Sequence, residues 1–156
     1  DAGKRLVNMR TGIVQAGNGG MLPLLRAVFS TGLGGAFGKG DIWYSWVAQD
    51  DLQDMYVRAA LDPQWEGPIN AVSPTPVHNR DYVDALGRRL HRPTVIPIPS
   101  LGPALLLGKE GARELALANQ KVVPAKLEEF GHVFRYPEVS QALAHELGGE
   151  ELVQTP

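Results

Sequence analysis

An α/β fold is the class this sequence predicts, and three observations carry it. Short apolar, β-branched and aromatic runs alternate with stretches whose apolar residues recur every three to four positions. Turn residues punctuate the junctions between them, with 18 glycines and 12 prolines in 156 residues. The length suits one domain around one core and is short for two.

The elements follow in order. "KRLVNMRTGIV" places Leu6, Val7, Met9, Ile13 and Val14 between Gly3 and Gly17, which predicts a strand and then a loop, broken by "GNGG". "MLPLLRAVFSTG" has the helical period, with Pro23 tolerable in the first turn and Gly32 able to close the end. "DIWYSWVAQ" is aromatic and β-branched enough for a strand. "DDLQDMYVRAALD" predicts an amphipathic helix that buries Leu52, Met55, Tyr56, Ala59 and Ala60, with Asp50 and Asp51 capping its free N–H groups. "GPINAVSP" suits a buried strand. Asn79 is placed to cap "RDYVDALGRRL", whose buried face is Tyr82, Val83, Leu86 and Leu90. "PTVIPIP" is extended, and Pro97 and Pro99 confine it to an edge. Helical pieces are expected over 100–107, 109–118, Pro124–Phe130 (stopped by Gly131) and Pro137–Leu147, with a frayed tail at 148–156.

Composition excludes several functions. The formal net charge is −2, so no basic field exists to neutralise a run of phosphates, and nucleic acid is not an expected partner. No cysteine is present, which removes disulfides, thiolate metal sites and cysteine nucleophiles. Apolar runs such as "PALLLG" fall far short of the roughly 20 residues of a membrane span. No basic-then-apolar leader opens the sequence, and a cytoplasmic location is the expectation. The first residue is Asp1 and the chain enters a β-rich run at once, as a piece of a longer protein would.

The obvious catalytic motifs fail by named residues. In "STGLGGAFGKGDIWYSW", a phosphate loop ending at Gly38-Lys39 needs glycine at Leu33 and Ser or Thr at Gly40. A dinucleotide turn starting at Gly32 needs glycine at Phe37, and the stretch follows a helix instead of a strand. His78, His91, His132 and His145 lack metal-ligand spacing. Asp50-Asp51 reads as a helix cap before it reads as an acid/base pair. Tyr44, Tyr56, Tyr82 and Tyr136 are followed four residues on by Ala48, Ala60, Leu86 and Ser140, so no Tyr-x-x-x-Lys proton-transfer pair is present. No catalytic residue is assigned, and no metal site.

Several motifs nonetheless occur in a recognisable order. They are Arg10-x-Gly12-x-Val14, Gly19-Gly20, Trp43-x-Ser45-Trp46, Asp51-Leu52, Asn70 with Pro74-x-Pro76, Arg92-Pro93, Pro97-x-Pro99 and Phe134-x-Tyr136-Pro137. Over about residues 5–147 the chain resembles the second half of an atypical extended short-chain dehydrogenase/reductase, of the kind labelled putative nucleoside-diphosphate-sugar epimerases. The resemblance implies late Rossmann strands and helices with a substrate-lobe insertion over 1–90. A family-specific, mostly helical segment is implied over 91–147.

It also implies that the Gly-rich NADP-binding turn and the Tyr-Lys site belong to an N-terminal half of the same protein, which becomes the expected partner. NADP is the implied cofactor, bound mainly by that half, with Gly12, Ile13 and Val14 beside the nicotinamide. A small-molecule substrate would meet Asn18, Trp43, Tyr44 and Trp46. Tyr44 stands where nucleotide-sugar epimerases carry a diphosphate-binding arginine, and tyrosine supplies no charged fork. The function implied is the substrate-side fragment of an NADP-dependent oxidoreductase or epimerase-like enzyme acting on a carbonyl or alcohol, inactive alone. A non-catalytic α/β interaction domain is the alternative that the residues leave open.

Overall fold

The computed structural model describes residues 3–94 and 119–149. It confirms the α/β class: the described residues form six short strands and five helices, with helices on both faces of one parallel strand pair and on one face of the other. The extended reading of "PTVIPIP", the helical pieces at 100–107 and 109–118 and most of the tail lie outside the described residues.

The first predicted strand is two. β1 (Val7–Thr11) runs parallel to β5 (Gly67–Ala71), and β2 (Ile13–Gln15) runs parallel to β4 (Trp46–Ala48). Gly12 is the hinge between them. Its N–H reaches Ala71 O at 3.1 Å, and the next N–H, of Ile13, reaches Ser45 O at 2.9 Å. Ser73 N–H in turn reaches Trp46 O at 2.6 Å. β4 therefore lies between β2 and the chain following β5. "DIWYSWVAQ" is likewise divided, because β3 (Trp43–Tyr44) turns away to pair antiparallel with β6 (Val77–His78).

Alternation along β4 creates two cores. Trp46 faces one, with Leu22, Leu25 and Phe29 of α1 (Leu22–Ser30), Tyr82, Val83 and Leu86 of α3 (Asn79–Leu90), and Ala142 and Leu143 of α5 (Val139–Glu146). Val47 faces the other, with Met55 and Ala59 of α2 (Gln49–Leu61), Trp65, Ile69 and Leu127 of α4 (Ala125–Glu129). Strand residues one apart thus anchor opposite helix layers, the period-2 rule applied to a sheet covered on both sides.

Three readings need correction. On α2 the buried stripe is Asp51, Met55 and Ala59, whereas Tyr56 and Ala60 are exposed. Leu52 packs partly buried against the same core, so the stripe is centred on the 51/55/59 row and is narrower than the apolar pattern. Asp51 does not cap its own helix; its carboxylate accepts from the N–H groups of Arg135 at 2.7 Å and Tyr136 at 3.1 Å. Asn79 is the first residue of α3, with His78 in the capping position, and its Oδ1 accepts from Phe37 N–H at 2.8 Å. Both polar side chains serve a distant loop, which local sequence cannot reveal.

The edges of the β1–β5 pair differ. With Gly67 N–H bonded to Leu6 O, alternation turns the position of Pro68 outward, and proline has no N–H to leave unpaired there. The opposite edge, on β1, directs the N–H and C=O groups of Val7, Met9 and Thr11 away from β5, and no strand pairs with them among the described residues.

Candidate functional site

The carboxyl ends of β1 and β5 and the amino ends of β2 and β4 meet around Gly12. A Cβ at Gly12 would lie 2.7 Å from Ser45 O and 2.8 Å from Val72 Cγ1, so only glycine lets this strand change partners here. Gly12→Ala is expected to cost about 1–3 kcal/mol, because one obstacle is backbone and the other a buried side chain. Urea unfolding checks this, and a variant as stable as the parent would contradict it.

Above this point lies the segment 119–123. The Ser45 hydroxyl donates to Gln120 O at 2.8 Å and accepts from Val122 N–H at 3.0 Å. Trp43 N–H reaches Asn119 Oδ1 at 2.9 Å, and Asn70 Nδ2 reaches Val123 O at 3.3 Å. Lys121 Nζ sits 4.7 Å from the centre of the Trp43 ring, whose other neighbour is the His78 ring at 3.9 Å. Ser45 is the residue that sequence reasoning missed. It stood inside the Trp43-x-Ser45-Trp46 motif, but nothing local says that its hydroxyl joins two distant segments.

The residues singled out from the sequence separate into groups. Gly12 and Ile13 have their N–H groups committed to Ala71 O and Ser45 O. Alternation leaves the N–H and C=O of Val14 directed away from β4. Trp43 is half-buried beside Lys121 and His78. Tyr44 and Trp46 are fully packed in the first core, at 2% and 0% exposure. Tyr44 contacts the Tyr82 ring at 4.8 Å, and its hydroxyl reaches Met21 Sδ at 3.5 Å. Trp46 Nε1 donates to Thr75 O at 2.9 Å. Asn18 is exposed in the loop after β2, which Glu146 fastens by accepting from Gly17 N–H at 2.6 Å.

Burial pushes the phenols of Tyr44 and Tyr82 well above their usual range, Tyr82 further still under the influence of Tyr44. Both remain neutral near pH 7, the opposite of a tyrosine tuned for proton transfer. Tyr44 is thus a neutral core residue.

Parallel strands with helices on both faces of β2–β4, and a glycine hinge at which β1 hands over to β2, define a part of a Rossmann-type fold. The comparisons agree. A family model described as a domain of unknown function, DUF1731, matches residues 98–146. An epimerase family protein of Mycobacterium bovis is 36% identical over 144 residues, 92% of this chain and 48% of that protein. The crystal structure of human epimerase family protein SDR39U1 with NADPH superposes with a TM-score of 0.83 at 28% identity, covering 94% of this chain and 49% of the human one. The nucleoside-diphosphate sugar epimerase of Corynebacterium glutamicum superposes with a TM-score of 0.74 at 46% identity, covering 97% of this chain and 28% of that one.

The chain therefore corresponds to the C-terminal part of the epimerase family proteins of the SDR39U1 type, atypical extended short-chain dehydrogenases/reductases. It spans about half the length of the curated relatives it matches.

Proposed function

We propose that the chain is the substrate-side half of an NADP-dependent oxidoreductase or epimerase-like enzyme, and that it works only when joined to the N-terminal half of that protein. The observation that carries this is the asymmetric pair β1–β5. Pro68 blunts the outer edge of β5, while β1 offers three unpaired residues on its other edge. A two-stranded parallel sheet is marginal by itself, and the face of this pair that carries Ile69 and Ala71 is already covered by α2 and α4. The sheet thus extends on the β1 side, where a parallel strand of the N-terminal half adds.

In this reading NADP is held mainly by that half, whose Gly-rich turn and Tyr-Lys pair have no counterpart in this sequence. Bound nicotinamide supplies hydride transfer to or from a carbonyl or alcohol carbon. This chain's part is to position and enclose. Gly12 and Ile13 shape the strand end through their own ladder bonds, and Val14 offers the free backbone groups toward the nicotinamide. Trp43 is the aromatic wall for the substrate, Asn18 its polar contact, and Tyr44 and Trp46 support that wall from inside the core. With Tyr44 neutral and buried, a small carbonyl compound of weak charge is a better substrate than a nucleotide sugar. The cytoplasm remains the expected setting.

Amide hydrogen exchange tests the edge. In the chain alone Val7, Met9 and Thr11 should exchange fast while Ile69 and Ala71 are protected; adding the N-terminal half should protect all five. Full protection of the three β1 amides in a monomeric chain would sink the proposal.

A further inference from the structure

His132 lies in the turn between α4 and α5 and is 8% exposed. Among the described residues neither of its ring nitrogens has a hydrogen-bond partner, and neither is accessible to solvent. Its surroundings are aromatic: Phe134 meets it edge-on at 4.8 Å, Trp65 at 6.1 Å, and Phe130 stacks on the far side of Trp65 at 5.5 Å from that ring. This cluster is the joint between α4 with its following turn and the α2–β5 layer. A neutral imidazole tolerates such a place. An imidazolium carries two N–H donors and a charge, and needs partners for both.

We propose that His132 makes this joint acid-labile: neutral, it fills the aromatic cluster, and protonated, it drives residues 125–136 away from α2.

The charges in the packed elements do not rescue the cation. On α2, Asp51 and Asp54 favour it and Arg58 opposes it. Both carboxylates are already engaged, Asp51 by two backbone N–H groups and Asp54 by Arg135 Nη2 at 2.8 Å. On α4, Lys126 is bonded to Glu66 O and Glu128 and Glu129 are exposed, and none of the three is among the charges that act on the His132 ring. Burial is the first cause, and Arg58 the second, of a His132 pKa held below the ordinary 6.5. The sign follows. The docked state binds this proton less readily than the open state, so stability is whole above pH 6.5. It falls as pH drops below that value, until the docked-state pKa is passed. The opening constant rises by at most about tenfold per pH unit in that window.

The test compares the chain with its His132→Phe variant between about pH 7.5 and about pH 5, the range in which an imidazole titrates. The variant keeps the ring and removes the titration. The other three histidines are common to both proteins and cancel. Expected is a melting temperature that falls relative to the variant as pH is lowered, with amides of 125–136 exchanging faster in the parent only. Melting curves that run parallel across the range would overturn the proposal. If the variant does not fold, the NMR titration of the His132 ring in the parent decides. A midpoint below 6.5 supports the proposal, and one at or above 6.5 overturns it.

Discussion

Replacing Trp46 with alanine is expected to remove about 3–5 kcal/mol of stability, a large part of the 5–15 kcal/mol typical of a domain. The side chain has no exposure and sits where α1, α3 and α5 meet β4. Its indole N–H is bonded to Thr75 O at 2.9 Å, so alanine both opens a cavity and strands a carbonyl. Trp46→Phe keeps most of the volume and removes the bond, and should cost about 1–2 kcal/mol. Trp43→Ala is the contrast, since that ring is half-buried and should matter mainly for ligand contact. Urea unfolding followed by circular dichroism measures all three. A Trp46→Ala chain within about 1 kcal/mol of the parent would contradict the packing described.

Asp51→Ala should cost about 2–4 kcal/mol. Asp51 is 1% exposed, and its loss leaves the N–H groups of Arg135 and Tyr136 without their acceptors. The damage should be local at first, loosening the turn between α4 and α5 from α2, so limited proteolysis should cut near 131–138 before the rest unfolds. Its neighbour gives the control. Asp50 pairs with His145 Nε2 at 3.2 Å, both side chains being 31% exposed, and Asp50→Ala should change stability by less than about 1 kcal/mol. The two adjacent aspartates thus point to different partners, which disposes of an acid/base pair between them. Equal effects of the two substitutions would contradict this division of labour.

The periodic features were readable in the sequence. The apolar spacing of Tyr82, Val83 and Leu86 placed α3, a local consequence of burial on one face, and the apolar and aromatic runs marked where strands lie, but not that two of them divide or that Val77–His78 forms a strand. The partner exchange at Gly12 was not readable, since it depends on Ser45 and Val72 approaching from elsewhere. Nor was the fate of Tyr44. An aromatic residue on a short strand faces either ligand or core, and the Met21–Tyr82 neighbourhood that fixes it is distant in sequence. Asp51, Asn79 and Ser45 share that limit: each is a polar side chain whose partner lies dozens of residues away. At His132 the sequence showed a histidine after Gly131, and only packing showed that both nitrogens lack partners.

The central claim is that this chain supplies the substrate side of an NADP enzyme and needs the N-terminal half to hold the cofactor. Calorimetric titration with NADPH tests it most directly, on the chain alone and on the chain combined with that half. The account predicts no binding heat from the chain alone and micromolar binding from the combination. Micromolar NADPH binding by the isolated chain would contradict it.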